Sequence, residues 1–180
     1  NYSVLHFSTH GHAGWDNPLK GGLLLSDGEL TLADLLDLPQ NKIRLAVLSA
    51  CETGVPGTNL PEETISLPSG CLQSGIAGVV GSLWSVSDFS TAMLFTRFYD
   101  LWRNEGLPPY IALCHAQLWI RDSTNFEKKS YFRSQLSKFT IDELPTGSVD
   151  AFSQYISLQD DETRKFDHPF YWAAFTYTGL

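Results

Sequence analysis

A mixed α/β sandwich around a largely parallel sheet is the fold this sequence predicts, and three features predict it. Continuous apolar runs such as "IRLAVLSA" (43–50) have the composition of strands buried on both faces. Segments with helical spacing lie between and after those runs, the alternation that builds parallel sheets. The chain has 180 residues, 43% of them hydrophobic, with 11 Phe, 7 Tyr and 5 Trp, which is material for one sizeable core and little support for two.

The first strand is expected over residues 2–9, "YSVLHFST", which is rich in apolar and β-favouring side chains. A Gly-rich loop follows it. Residues 21–26 read as a short extended piece with a turn at Asp27-Gly28. Thr31 then caps a short helix through Leu36, because its hydroxyl can accept from free first-turn amides. Residues 43–50 form the second clear strand. Residues 61–74 are expected to be a loop and then a helix ending near Gly75, before another buried strand around 79–84. Residues 90–104 carry Met93, Phe95, Phe98, Leu101 and Trp102 as an apolar helical stripe, expected in the core. A further helix, 110–122, starts after Pro108-Pro109, where proline suits a first turn. Residues 123–165 hold most of the later charges and little periodicity. They are expected to be an insertion or lid, with short helical pieces around 140–144 and 149–158. The apolar run "PFYWAAFTYTG" (169–179) closes the chain as a final strand, and no internal repeat is visible.

Charge and cysteine content narrow the function classes. Twenty acids against twelve bases give a net charge of −8 without any basic run, which disfavours nucleic acid and anionic membranes as partners. No apolar stretch approaches the ~20 residues that span a bilayer. Charged residues make up only 18%, a sparseness that suits a surface partly covered by other protein. The three cysteines, Cys51, Cys71 and Cys114, are far apart with no CxxC pair, which suits a reducing cytoplasm better than a disulfide scaffold. The chain begins at Asn1, in mid-strand, and is expected to be a piece of a longer protein.

Two motifs fall where strands end, at the carboxyl edge where α/β sheets collect function: "THGHAG" (9–14) and "SACETG" (49–54). Cys51 directly follows a buried strand. It is either a nucleophile whose thiol proton passes to a nearby imidazole, or an ordinary buried cysteine. If the two strands are neighbours, His10 and Cys51 reach the same edge. Gly11, lacking a Cβ, lets its N–H face a developing oxyanion, with the Cys51 amide as a second donor; each such donor is worth roughly 3–4 kcal/mol. His12 points the same way as His10 in extended backbone and is a weaker candidate, for orienting the loop. His6 is expected to be half-buried, and His115 and His168 to be structural. A zinc reading of His10, His12 and Asp16 is disfavoured, because the spacing to Asp16 is long and no partner His follows.

The blocks "HFSTHG", "LAVLSACETG", "GVVGSLWSVSD" and "HPFYWAAFTYTG" occur in this order and together resemble the CHAT domain, a family of caspase-like cysteine peptidases related to separase and the caspases. The resemblance implies a caspase-like three-layer sandwich, a His10–Cys51 dyad, and an oxyanion hole of the Gly11 and Cys51 amides. It also implies strands before the His-bearing one. Residues 1–180 are therefore expected to be the C-terminal catalytic portion of such a domain, with the N-terminal strands of the full fold missing from this chain. In this family type the region of Asp88 lines the pocket for the residue before the cut. A carboxylate there favours Arg or Lys, while the alternative is that Asp88 or Ser87 caps the helix that follows. Trp84 is either a wall of that pocket or a core residue, and Glu52 either attracts a basic substrate from the rim or is simply solvated. The caspase signature Gln-Ala-Cys-Arg-Gly reads Ser-Ala-Cys-Glu-Thr-Gly here, and the acid at Glu52 argues against cleavage after Asp. The polar loop within 57–70 is either the border of a substrate groove or an ordinary surface loop.

The function expected on these grounds is a cytoplasmic cysteine endopeptidase that needs no metal or organic cofactor. Its expected partners are a protein substrate cut after a basic residue and a fused or bound helical-repeat (TPR-like) regulatory region. The rival reading is a non-catalytic or latent signalling scaffold with the same fold.

Overall fold

Leu45, Ala46, Val47 and Leu48 are each 0% exposed, as a strand covered on both faces must be. The computed structural model describes residues 3–12, 14, 17–37, 42–49, 66–138 and 160–180. The chain divides into two units, Asn1–Val86 with Ala173–Leu180, and Ser87–Trp172. In chain order the first unit holds β1 (Val4–Phe7), β2 (Gly11–His12), a 3-10 turn (Pro18–Lys20), β3 (Gly22–Leu25), β4 (Gly28–Thr31), α1 (Leu32–Asp37), β5 (Leu45–Leu48), α2 (Leu67–Gln73), β6 (Gly78–Ser82) and β7 (Phe175–Gly179).

Its main sheet has the order β1-β5-β6-β7. The first three strands are parallel, in the register Phe7–Leu48–Gly81, and β7 runs antiparallel to β6. Ala46, Leu48 and Val79 join Leu32 and Leu35 of α1 and Leu67 and Cys71 of α2 in one apolar cluster, with Leu5 and Phe7 packed against it. Burying each such leucine contributes roughly 1.5–3 kcal/mol. The two helices approach closely because Gly70 has no side chain: a Cβ there would lie 1.9 Å from Leu32 Cδ1. The fold is thus mixed α/β, with a mostly parallel sheet flanked by helices, as a caspase-like α/β sandwich requires. The β1 and β5 strands are shorter than the apolar runs 2–9 and 43–50 that announce them.

The extended piece expected at 21–26 is present as β3, and residues 11–12 of the expected Gly-rich loop pair with it to give, with β4, a small antiparallel sheet of order β2-β3-β4. Two residues of β2 are too few to show a period of two. The β3–β4 hairpin closes Leu25 on Gly28, so its turn is Ser26-Asp27, one residue ahead of the expected position. Thr31 does open α1. Its N–H donates to Asp34 Oδ2 at 2.9 Å while the Asp34 N–H donates to Thr31 Oγ1 at 3.2 Å, a reciprocal capping box.

The second unit is helical: α3 (Asp88–Tyr99) running on through a π-turn (Asp100–Asn104), α4 (Pro109–Asp122), α5 (Asn125–Leu136) and a 3-10 turn (Pro169–Tyr171). The expected stripe is buried, with Phe98 ring-packed on Phe95 and Trp102 at 6.0 and 5.7 Å. The Asp100 carboxylate ties the π-turn to α5, accepting from Arg97 Nη1, Asn104 Nδ2, Tyr131 OH and Gln135 Nε2 at 2.8–3.3 Å. Helix α5 was not expected. It has almost no apolar face and is held by polar bonds. At its N-terminus Thr124 and Glu127 cap each other and Asn125 Nδ2 donates to the Asp160 carbonyl at 2.6 Å, and further along Tyr131 and Gln135 bind Asp100. The pieces proposed at 140–144 and 149–158 lie outside the described residues. Among the described residues no helix is long and apolar enough to cross a membrane.

Candidate active site

The parallel β1–β5 ladder sets the geometry at the carboxyl edge of the main sheet. Its register continues one residue beyond β5, where the Ser49 N–H donates to the Phe7 carbonyl at 2.8 Å. His10 stands three residues past Phe7, and Ser49 is the last described residue before Cys51, two positions further along the sequence. Cys51 and Glu52 themselves lie outside the described residues, as do Asp16 and residues 57–65 of the polar loop.

His10 is exposed, on a segment clamped to β3 by two bonds. The Leu24 N–H donates to the His10 carbonyl at 2.8 Å, and the Thr9 hydroxyl donates to the Leu24 carbonyl. Gly11 opens β2 opposite Leu23. The Leu24–His10 bond makes Gly11 and Leu23 a pair of the non-hydrogen-bonded kind, so the β2–β3 ladder does not use the Gly11 N–H. His12, also exposed, meets the Glu29 carboxylate through Nε2. Neither Glu29 nor Thr9 was singled out from the sequence. The hairpin turn between β3 and β4 was the only signal for Glu29, since it folds that residue back over β3 toward β2.

Trp84 follows β6 at the same carboxyl edge and is half-buried. Asp88 is the exposed first residue of α3, in the helical unit. Ser87 holds the N-cap position but makes no side-chain cap bond, so neither residue caps in the way expected, and Asp88 favours the helix only by its charge near the N-terminus. His6 lies on the face of β1 opposite Leu5 and Phe7; it keeps surface exposure, and partial burial of its ring lowers its pKa. His115 is exposed on α4, while His168 caps the 3-10 turn, its Nδ1 accepting from the Phe170 N–H at 3.2 Å. Among the described cysteines, Cys71 is buried and burial pushes its thiol up to about 12, which leaves it inert, whereas Cys114 is exposed. Among the described residues no group of three His, Cys, Asp or Glu side chains could hold a metal ion.

The motif order, the strand topology and the sheet edge that carries His10 coincide with a family-wide match. The CHAT domain model matches residues 1–180, the whole chain. The chain belongs to the CHAT family. Caspase-like peptidases are the known context of CHAT domains, so the membership supports a peptidase-related function. Among curated proteins, none matches this CHAT chain significantly.

Proposed function

We propose that this CHAT chain is the catalytic portion of a cysteine endopeptidase, with His10 as base and Cys51 as nucleophile. The observation that carries the proposal is the Ser49–Phe7 bond. It delivers the chain to the edge occupied by His10 just two residues before Cys51. His10 takes the proton from the Cys51 thiol, and the thiolate adds to the peptide carbonyl. The Gly11 and Cys51 amides receive the oxyanion, a role supported by a Gly11 N–H that the β2–β3 ladder does not use. As the tetrahedral adduct collapses, the C–N bond breaks and the imidazolium protonates the leaving amine. Water, deprotonated by His10, then hydrolyses the thioester and restores the thiol.

Asp88, Trp84 and Glu52 are the substrate-binding residues in this reading: the Asp88 carboxylate favours a basic residue before the cut, and Glu52 attracts a basic substrate from the rim. Residues 123–165 serve as an insertion or lid, and a fused or bound helical-repeat region controls the enzyme in the cytoplasm. A thiol-directed peptidyl probe on the intact parent protein, with its activating partner present and a chelator in parallel, tests the proposal. Labelling lost in Cys51→Ala and indifferent to chelator is the expected result. Hydrolysis that survives Cys51→Ala, or no labelling at all, overturns it. An unchanged preference between basic and acidic peptides in Asp88→Ala removes Asp88 from the pocket.

A further inference from the structure

The small sheet beside His10 presents its polar residues on one face. Leu23 is fully buried on the core side and Leu24 is 47% exposed on the other. Successive strand residues alternate between faces, so the register places His10 opposite Leu24, and His12 opposite Gly22, on the solvent side. Glu29 stands opposite Leu24 on β4 and shares that side. His12 and Glu29 are therefore two strands apart, with β3 between them, yet their side chains meet. They can meet because β3 carries a glycine at the crossing. A Cβ on Gly22 would lie 2.6 Å from the Leu30 carbonyl oxygen and 2.9 Å from Glu29 Oε1, crowding both the β4 main chain and the space through which the carboxylate reaches His12. The carboxylate can only accept, so the ring Nε2–H donates, and the pair forms a strap across the central strand.

What the strap secures is the attachment of His10. β2 is only two residues long, and the His10 carbonyl is fixed by the N–H of Leu24 on the strapped strand. We propose that Glu29, acting through His12 across Gly22, is a positioning residue that fixes the main chain of His10. The catalytic consequence rests on the reading of His10 as the base, whereas the positioning itself does not. Misplacing a base by a fraction of an ångström lowers the rate of the chemical step and leaves substrate binding alone.

Two readouts on the full-length chain test it. Hydrogen exchange at the Leu24 amide reports the positioning whatever the activity. Glu29→Ala and His12→Ala should each speed that exchange by about tenfold or more, with β5 amides unchanged, and Glu29→Gln should restore protection. In a peptide-cleavage assay each alanine variant should lose roughly tenfold in kcat at constant KM, and the double variant should lose no more than either single one. Leu24 exchange that does not respond, or losses that add in the double variant, overturn the proposal. A wild-type chain that cleaves nothing while Leu24 exchange responds refutes the peptidase reading and leaves the positioning intact. His12→Ala supplies the same readout should Glu29→Ala not fold.

Discussion

At the scale of single residues, chemistry here is decided by exposure and by what holds the main chain. The thiols illustrate it. Cys71 is buried among the leucines of α1 and α2 with its ionisation pushed up to about 12, while Cys114 faces solvent on α4. A neutral-pH thiol reagent should therefore modify Cys114 in the native protein and reach Cys71 only after denaturation, as read by site-resolved mass spectrometry; native modification of Cys71 would contradict the packing. His10 was legible in the sequence because a histidine before glycine at a strand end is a local pattern. Glu29 was not. Its contact with His12 depends on a hairpin folding one strand over another and on a glycine in the gap, which no spacing along the chain encodes.

At the scale of elements, close approach matters as much as apolar area. α1 and α2 share the core cluster, and Gly70 lets Leu32 fill the space a side chain would need. Gly70→Ala should lower unfolding free energy by about 1–3 kcal/mol in chemical denaturation, although alanine is the better helix former. An unchanged or raised stability would show that the helices separate without cost. The long apolar runs announced β5 and β6, and proline announced α4, because burial on both faces and missing amide donors leave marks within a few residues. Helix α5 left none. Its first turn is fixed by Thr124, Glu127 and the distant Asp160 and its later turns by Asp100, so its stability is tertiary and its sequence lacks a stripe. The two-residue β2 was invisible for a simpler reason: a pattern needs more than one period.

At the scale of the whole molecule, the fold class followed from alternating apolar and amphipathic segments, and the motif order gave the family. That β1 and β5 end at one edge is a property of their register, which the sequence implied only if those strands were neighbours; they are. Stability should also respond to pH through the helical unit. Lys128 is 2% exposed with its ammonium on the Ser123 carbonyl, and burial lowers its pKa from 10.5 to about 8. Below pH 8 the lysine is charged in both states, and the folded state bears the full cost of burying that charge. Between pH 8 and 10.5 the unfolded chain binds more protons, so the Lys128 contribution to stability rises with pH across that window. Denaturation midpoints across those values should climb more steeply in the wild type than in Lys128→Met, and parallel curves would contradict the burial.

The central claim is that His10 and Cys51 act on one another. Its most direct measurement is the rate of Cys51 alkylation by iodoacetamide against pH, resolved by mass spectrometry, in the wild type and in His10→Ala. A dyad predicts fast alkylation of the wild type below pH 7, and in the variant an inflection moved up toward about 8.5, where an ordinary thiol ionises. Superimposable profiles would show an isolated thiol, and with it a sheet edge that carries no dyad.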